Sequence, residues 1–145
     1  MESKLIKISI AALVISAPSA VHAAPHPVDM SCGMTVKAFF APLVQNRILN
    51  PKQVQITDRS VNYFQPRLFK EIAVYGIPVV YVFGYTDEPL LFVNNGNSQW
   101  DTYGVVVRES IANVQAQLNS MQATAAQTYR VDARTTAITC KGEAA

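Results

Sequence analysis

Residues 72–108 constrain the fold most, because short apolar runs follow one another there with turn residues between them. Runs rich in β-branched and aromatic residues and bounded by Gly, Pro, Asn or Asp are typical of β-strands. We therefore expect consecutive strands of one sheet. The first two should pair as an antiparallel hairpin, since antiparallel neighbours tolerate short connections. The predicted strands cover residues 73–75, 79–83, 90–93 and 103–107.

The first 23 residues have the pattern of a secretory signal peptide. Lys4 and Lys7 precede an uncharged apolar stretch at residues 8–15, and Val21-His22-Ala23 fits the small-x-small rule for cleavage. The apolar stretch is shorter than a bilayer-spanning helix requires. The alternative, a core helix at the N-terminus, has no amphipathic pattern to support it. We predict cleavage after Ala23, a mature protein that is periplasmic or secreted, and no transmembrane anchor after cleavage.

The two cysteines lie at opposite ends of the predicted mature chain. In an exported protein an isolated pair of cysteines predicts a disulfide, here between Cys32 and Cys140. The alternatives are two buried free thiols or a bond between two chains. The spacing excludes a Cys-x-x-Cys redox motif.

Two stretches have the three-to-four-residue apolar spacing of helices. In residues 34–48 Pro42 interrupts the spacing, which predicts a bent helix or two short pieces. Residues 110–122 begin with Ser110, a preferred N-cap residue, and predict an amphipathic helix packed on the sheet. Ahead of both, the prolines in residues 24–31 predict a flexible leader that joins neither helix nor sheet.

Two further stretches leave the strand pairing open. Residues 53–64 contain two short alternating segments around a polar turn, which favours a hairpin without establishing it. Residues 128–140 alternate until the pattern shifts by one residue near Thr135-Thr136, which indicates either a bulge or a short hairpin. Three charged residues are predicted to share one strand face in this segment: Arg130, Asp132 and Arg134.

Together these patterns predict a single α+β domain at residues 32–145. Its sheet is expected to be antiparallel, with about four to six strands. One helix in the C-terminal half packs on the sheet, and a proline-bent helix lies near the N-terminus.

Histidine chemistry is disfavoured, because the chain has two histidines and His22 leaves with the signal peptide. His26 remains in the predicted leader, where a mobile imidazole is a poor general base. A zinc site needs three or four rigidly held ligands, which one such histidine and two bonded cysteines do not supply. Phosphate-binding Gly-rich motifs are missing as well. We therefore predict no enzymatic activity, no metal and no cofactor.

Carboxylates are the remaining candidates for acid–base chemistry. Asp58, Asp101 and the adjacent Asp87-Glu88 pair all fall in predicted turns or polar loops, where ordinary turn formation explains them better. A hydrolase or isomerase with carboxylate or tyrosine chemistry is thus the least favoured class. It would require one of these carboxyls in a cleft with a raised pKa.

The overall charge gives no sign of a nucleic-acid partner. The formal charge of the chain is +2, and removal of Lys4, Lys7 and Glu2 lowers it to +1. This is not the strongly basic pattern of proteins that bind nucleic acid or anionic membranes.

A protein partner in the envelope or outside the cell fits the sequence best. The candidate partner surface combines Trp100, in the polar loop at residues 94–101, with Arg130 and Arg134. Tryptophan and arginine are enriched at binding hot spots. We predict a non-enzymatic protein-binding module, such as an inhibitor or an immunity-type protein.

The alternative is a carrier for a small apolar ligand held between sheet and helix. That reading requires a closed cavity of several hundred Å³. The residues that would line it are Phe39, Phe40, Phe64, Phe69, Phe83 and Phe92.

Overall fold

The computed structural model describes residues 23–86, 91–96 and 102–142. The predicted signal peptide up to His22, the Asp87-Glu88 pair, Trp100 and Asp101 lie outside these residues. Within the described part, no helix combines the length and the apolar character that crossing a membrane requires.

The described residues form a single sheet with two helices, which confirms the α+β class. The sheet has eight strands rather than four to six, because it includes two-residue strands that are too short to alternate visibly in the sequence. The helices are α1 (Val36–Gln45) and α2 (Ile111–Ser120). The strands are β1 (His26–Pro27), β2 (Gln55–Ile56), β3 (Asn62–Phe64), β4 (Ile72–Val74), β5 (Ile77–Gly84), β6 (Thr102–Val107), β7 (Gln127–Arg130) and β8 (Thr136–Lys141).

The strand order is β1-β4-β5-β6-β8-β7, and all pairs except β1–β4 are antiparallel. β4 pairs with the first part of β5, while β3 pairs with its last part and carries β2 on its outer side. The predicted hairpin is confirmed as β4–β5. Its turn is Tyr75-Gly76, and both residues have positive φ, as a two-residue type I′ turn requires.

The segment predicted as a leader outside the sheet does pair with it, so that prediction is wrong. β1 runs parallel to β4, and the N–H groups of His26 and Val28 donate to the carbonyls of Glu71 and Ala73 at 2.8 Å each. In a parallel ladder only alternate residues of a strand donate to a given neighbour. Pro25 and Pro27 occupy the positions that alternate with these donors, so their missing N–H groups are not needed.

The predicted strand at residues 90–93 is also wrong for the residues described, since 91–93 lie outside any strand. The ambiguous residues 53–64 form the β2–β3 hairpin. Its turn is closed by Ser60, whose φ is 60° and whose N–H donates to the carbonyl of Thr57.

Residues 128–140 form the β7–β8 hairpin, one of the two predicted outcomes of the shift in alternation. The prediction that Arg130, Asp132 and Arg134 share a strand face is wrong, because only Arg130 lies in a strand. An Asp side chain competes well for backbone donors in a turn. Here Oδ1 of Asp132 accepts from the N–H groups of Arg134 and Thr135 at 2.7 and 2.8 Å.

Helix α1 is shorter than predicted and runs unbroken through Pro42. The Oγ1 atom of Thr35 accepts from the N–H of Ala38 and caps its start. Pro42 has no N–H group, so one internal hydrogen bond is missing, but this loss does not divide the helix into two pieces. Helix α2 begins after Ser110 as predicted, and the Ser110 hydroxyl accepts from the N–H of Asn113.

Both helices bury their apolar side chains in one core on the same face of the sheet. Four phenylalanine rings are in contact there: the ring centroids of Phe40 lie 5.2 Å from Phe39, 5.8 Å from Phe64 and 4.9 Å from Phe92. Side chains therefore fill the space between these rings. The other two rings of the proposed ligand cavity are elsewhere, because Phe69 is 92% exposed and Phe83 lies outside this core.

The predicted disulfide joins Cys32 to Cys140 across 108 residues. Two tyrosine hydroxyls hold the same N-terminal segment from the sheet side. Tyr103 donates to the carbonyl of Ser31 at 2.6 Å, and Tyr75 donates to that of Met30 at 2.7 Å. The residues just ahead of α1 are thus held by one covalent bond and two hydrogen bonds.

Candidate binding surface

The sheet has a second face on which neither α1 nor α2 packs. Val82 pairs with Val105 in the core, whereas the next residue of β5, Phe83, pairs with Gly104 on the opposite side. The phenyl ring of Phe83 is mostly buried although it does not belong to the core cluster. Five side chains define this side, which we call the open sheet face: Tyr63, Tyr81, Phe83, Val106 and Tyr129.

A pair of stacked rings lies at the centre of the open sheet face. The rings of Tyr63 and Phe83 are 5.0 Å apart with an interplanar angle of 27°. Gly104 makes this arrangement possible, because a Cβ atom there would lie 2.5 Å from Cζ of Phe83 and 2.3 Å from the carbonyl oxygen of Ile138. Only a residue without a side chain lets the Phe83 ring lie across β6.

The stacked rings line an open groove of about 880 Å³. Its floor comes from β5, β6 and β8, and its two sides come from the β2–β3 hairpin and from the outer strand β7. The nonpolar and aromatic residues that line it are Val61, Tyr63, Phe83 and Tyr129. The uncharged polar residues that line it are Thr57, Thr102, Gln127 and Thr139. The charged residues are Asp58, Arg59 and Lys141.

The tyrosine hydroxyls in the groove can form hydrogen bonds with the surface of a partner. Burial raises the pKa of Tyr63 above its ordinary value of 10.0, so its hydroxyl is neutral at physiological pH and can donate or accept. Tyr129 is 55% exposed, and its hydroxyl donates to Oε1 of Gln127 at 2.8 Å. Among the described lining residues, two cations face one carboxylate, which gives the groove a small positive excess.

The surface predicted from the sequence differs from this groove. Arg130 and Arg134 are exposed in and beside the β7–β8 turn, but neither lines the groove. Arg130 pairs with Thr136, on the side opposite to Tyr129. Trp100 lies outside the described residues, so the structure does not relate it to either arginine.

Sequence reasoning missed Tyr63, Phe83 and Tyr129 as a group. A signal was present in β3 and β5, where large aromatic or aliphatic side chains occupy both alternating positions. A strand with apolar side chains on both faces either buries both faces or uses one face for binding.

The described carboxylates do not form a catalytic pair in the groove. Asp58 is exposed in the β2–β3 turn, and it is the one carboxylate among the described lining residues. Within the described ranges, no three His, Cys, Asp or Glu side chains are grouped closely enough to hold a metal ion. Comparison with known proteins finds no matching family model, no similar curated protein and no similar solved structure.

Proposed function

We propose that this is an exported, non-enzymatic module that binds another protein of the cell envelope or the extracellular space through the open sheet face. An inhibitor or an immunity-type protein would have these properties. The observation that carries the proposal is the stacked Tyr63–Phe83 pair in a groove bordered by Tyr129 and two cationic side chains.

The disulfide supports an oxidising location for this activity. Cys32 and Cys140 are bonded, and such bonds persist in the periplasm and outside the cell rather than in the reducing cytoplasm. The predicted signal peptide points to the same compartments.

The composition of the groove supports protein recognition. Tyrosine and arginine are enriched at binding hot spots, since they combine a large contact area with hydrogen-bonding ends. The groove lies on a paired sheet, so its aromatic side chains are held in place before a partner arrives. Binding to such a surface loses less conformational entropy than binding to a mobile loop. Its small positive excess favours a partner with carboxylates around an apolar patch.

A pull-down with matched variants tests the proposal. The mature chain, residues 24–145 with its disulfide intact, is immobilised and exposed to envelope extract. Tyr129→Ala combined with Lys141→Glu changes two exposed groove residues. We expect it to weaken binding at least about tenfold, as loss of about 1.4 kcal/mol at a hot spot would.

Two control variants distinguish the groove from the surface that was predicted from the sequence. Arg130→Ala combined with Arg134→Ala changes two positions of the β7–β8 hairpin that do not line the groove, and this variant should retain the partner. Trp100→Ala tests the loop predicted from the sequence. Equal recovery by the groove variant and the wild type would contradict the open sheet face as the binding surface. Retention of no protein by the wild type in any envelope fraction would contradict the binding function itself.

A further inference from the structure

The turn at residues 67–70 presents two large apolar side chains to solvent. Leu68 is 82% exposed and Phe69 is 92% exposed, the highest values among the large hydrophobic side chains described. The N–H of Lys70 donates to the carbonyl of Arg67 at 2.9 Å and closes the turn. Phe69 has a φ of 64°, a conformation that bulky residues rarely adopt.

Hydrogen bonds at the base of the turn hold it in this position. The N–H of Arg67 donates to the carbonyl of Ile48 at 2.8 Å, and its Nε donates to that of Leu49 at 2.9 Å. Because the base is fixed and Phe69 is in a left-handed conformation, the two side chains project outward. A bulky residue with a positive φ, such as Phe69, is a reason to look for a function of the turn.

The structure also gathers positive charge around the turn, although the whole chain carries little. Arg67, Lys70 and Arg108 line one groove of about 700 Å³ together with Leu68 and Phe69, and Glu71 is the one carboxylate among the described residues that line it. On the other side, Ala23 and Ala24 line a second groove with Phe69 and Lys70. Cleavage after Ala23 would add a positively charged α-amino group at that point.

We infer that this turn docks the exported protein on an anionic phospholipid surface. Leu68 and Phe69 enter the headgroup–acyl boundary, while Arg67, Lys70 and Arg108 contact lipid phosphates. The inference rests on the proposed export, since the protein must reach a membrane surface from the periplasmic or outer side. A cationic rim around exposed apolar residues is the pattern of interfacial membrane binding.

The contact area favours lipid over a protein partner. A fully buried Phe removes about 150–250 Å² from water, whereas a specific protein interface buries about 800 Å² on each partner. Two projecting side chains are therefore too small for a protein interface by themselves. A lipid surface needs no complementary pocket and accepts a convex tip. The expected binding is reversible, comparable to a single myristoyl chain with an association constant of about 10⁴ M⁻¹.

Vesicle sedimentation with the purified mature protein tests the inference. The vesicles are phosphatidylcholine alone, or phosphatidylcholine mixed with phosphatidylglycerol as the anionic lipid. The wild type should bind the anionic vesicles and bind the neutral ones at least about tenfold more weakly. Leu68→Ser combined with Phe69→Ser should reduce binding to anionic vesicles at least about tenfold.

The control variants separate apolar insertion from general charge attraction. Lys70→Glu combined with Arg108→Glu should abolish the preference for anionic vesicles. Val54→Ser combined with Val131→Ser removes two other exposed apolar side chains and should bind vesicles like the wild type. All these positions are exposed, and circular dichroism checks that each variant is folded.

Two results would overturn the inference: no wild-type binding to anionic vesicles, or vesicle binding by the Leu68/Phe69 variant that equals that of the wild type. If that variant kept its vesicle binding and lost the protein partner in the pull-down, the turn would be assigned to a protein. The vesicle assay contains no partner protein, so its failure leaves the pull-down result intact, and the reverse also holds.

Discussion

Asn62 and Val93 exchange two hydrogen bonds between a side chain and a backbone. Nδ2 of Asn62 donates to the carbonyl of Val93 at 3.0 Å, and Oδ1 accepts from its N–H at 2.9 Å. This is the exchange that a neighbouring strand would make. It holds residues 91–93 beside β3 without a strand, and it positions the ring of Phe92 against Phe40 and Phe64.

Replacing Asn62 with Leu should destabilise the fold strongly. The side chain is fully buried, and Nδ2 also donates to the carbonyl of Ser60 at 2.6 Å. Three hydrogen bonds at about 1 kcal/mol each predict a loss of about 2–3 kcal/mol in the free energy of unfolding, measured by urea titration. Asn95→Ala, which removes one exposed bond to the carbonyl of Thr57, should change it by less than about 1 kcal/mol. Similar effects of the two variants would contradict the special role of Asn62.

Reduction of the disulfide should lower stability more than any single surface substitution. The bond closes a separation of 108 residues, for which the chain-entropy relation gives about 4–5 kcal/mol. Urea midpoints with and without dithiothreitol measure the loss. The Cys32→Ser/Cys140→Ser variant should start at the lower midpoint and show no response to the reductant. A wild-type midpoint that the reductant leaves unchanged would contradict this prediction.

Stability should fall at alkaline pH through the tyrosines that hold the N-terminal segment. Burial is the main cause that raises the pKa of Tyr103 and Tyr75 above 10.0 in the folded protein. A raised folded-state pKa means that the folded state holds the proton more tightly than the unfolded state. The stabilising contribution of these two hydroxyls is therefore fully present below about pH 10. It is lost as the pH rises through the folded-state pKa values of Tyr103 and Tyr75.

The variant Tyr103→Phe separates the hydrogen bond that this hydroxyl makes from the effect of its titration on stability. It should lose about 1 kcal/mol at neutral pH, because the carbonyl of Ser31 loses its donor. Its melting temperature should then fall less steeply above pH 10 than that of the wild type. Thermal unfolding between pH 7 and 11, with tyrosinate absorbance as a second readout, checks both. Parallel pH curves for the two proteins would contradict the assignment to Tyr103.

Features that depend on local pattern could be predicted from the sequence. The β4–β5 hairpin follows from a turn at Gly76 between apolar runs, although the turn begins at Tyr75, which was predicted as strand, and β5 already begins at Ile77. Helix α2 follows from Ser110 and the apolar spacing behind it. The pairing of Cys32 with Cys140 required only that two cysteines be present in an exported chain.

Features that depend on a distant partner could not be predicted. Pro25 and Pro27 look incompatible with a sheet, but the N–H groups that donate to the parallel neighbour belong to His26 and Val28, which alternate with the prolines. The sequence of residues 90–93 is typical of a strand, but in the described part of this run the backbone of Val93 bonds to the side chain of Asn62 instead of to a strand. The candidate binding surface was missed for the same reason, since Tyr63 and Phe83 become neighbours only through the pairing of β3 with β5.

Replacing Gly104 with Ala should disturb the open sheet face directly. The added Cβ would overlap Phe83 and the backbone oxygen of Ile138, and a backbone atom in a paired strand cannot turn aside as a side chain can. Overpacking of this kind predicts a loss of about 1–3 kcal/mol in the free energy of unfolding. It also predicts a changed near-ultraviolet circular dichroism signal, because the Tyr63–Phe83 stack must shift. Lys141→Ala, an exposed change in the same groove, should alter stability by less than about 0.5 kcal/mol and leave the aromatic signal unchanged. If Gly104→Ala left both stability and the aromatic signal at their wild-type values, the Phe83 ring would not lie across β6. The proposed binding surface would then lose its central element.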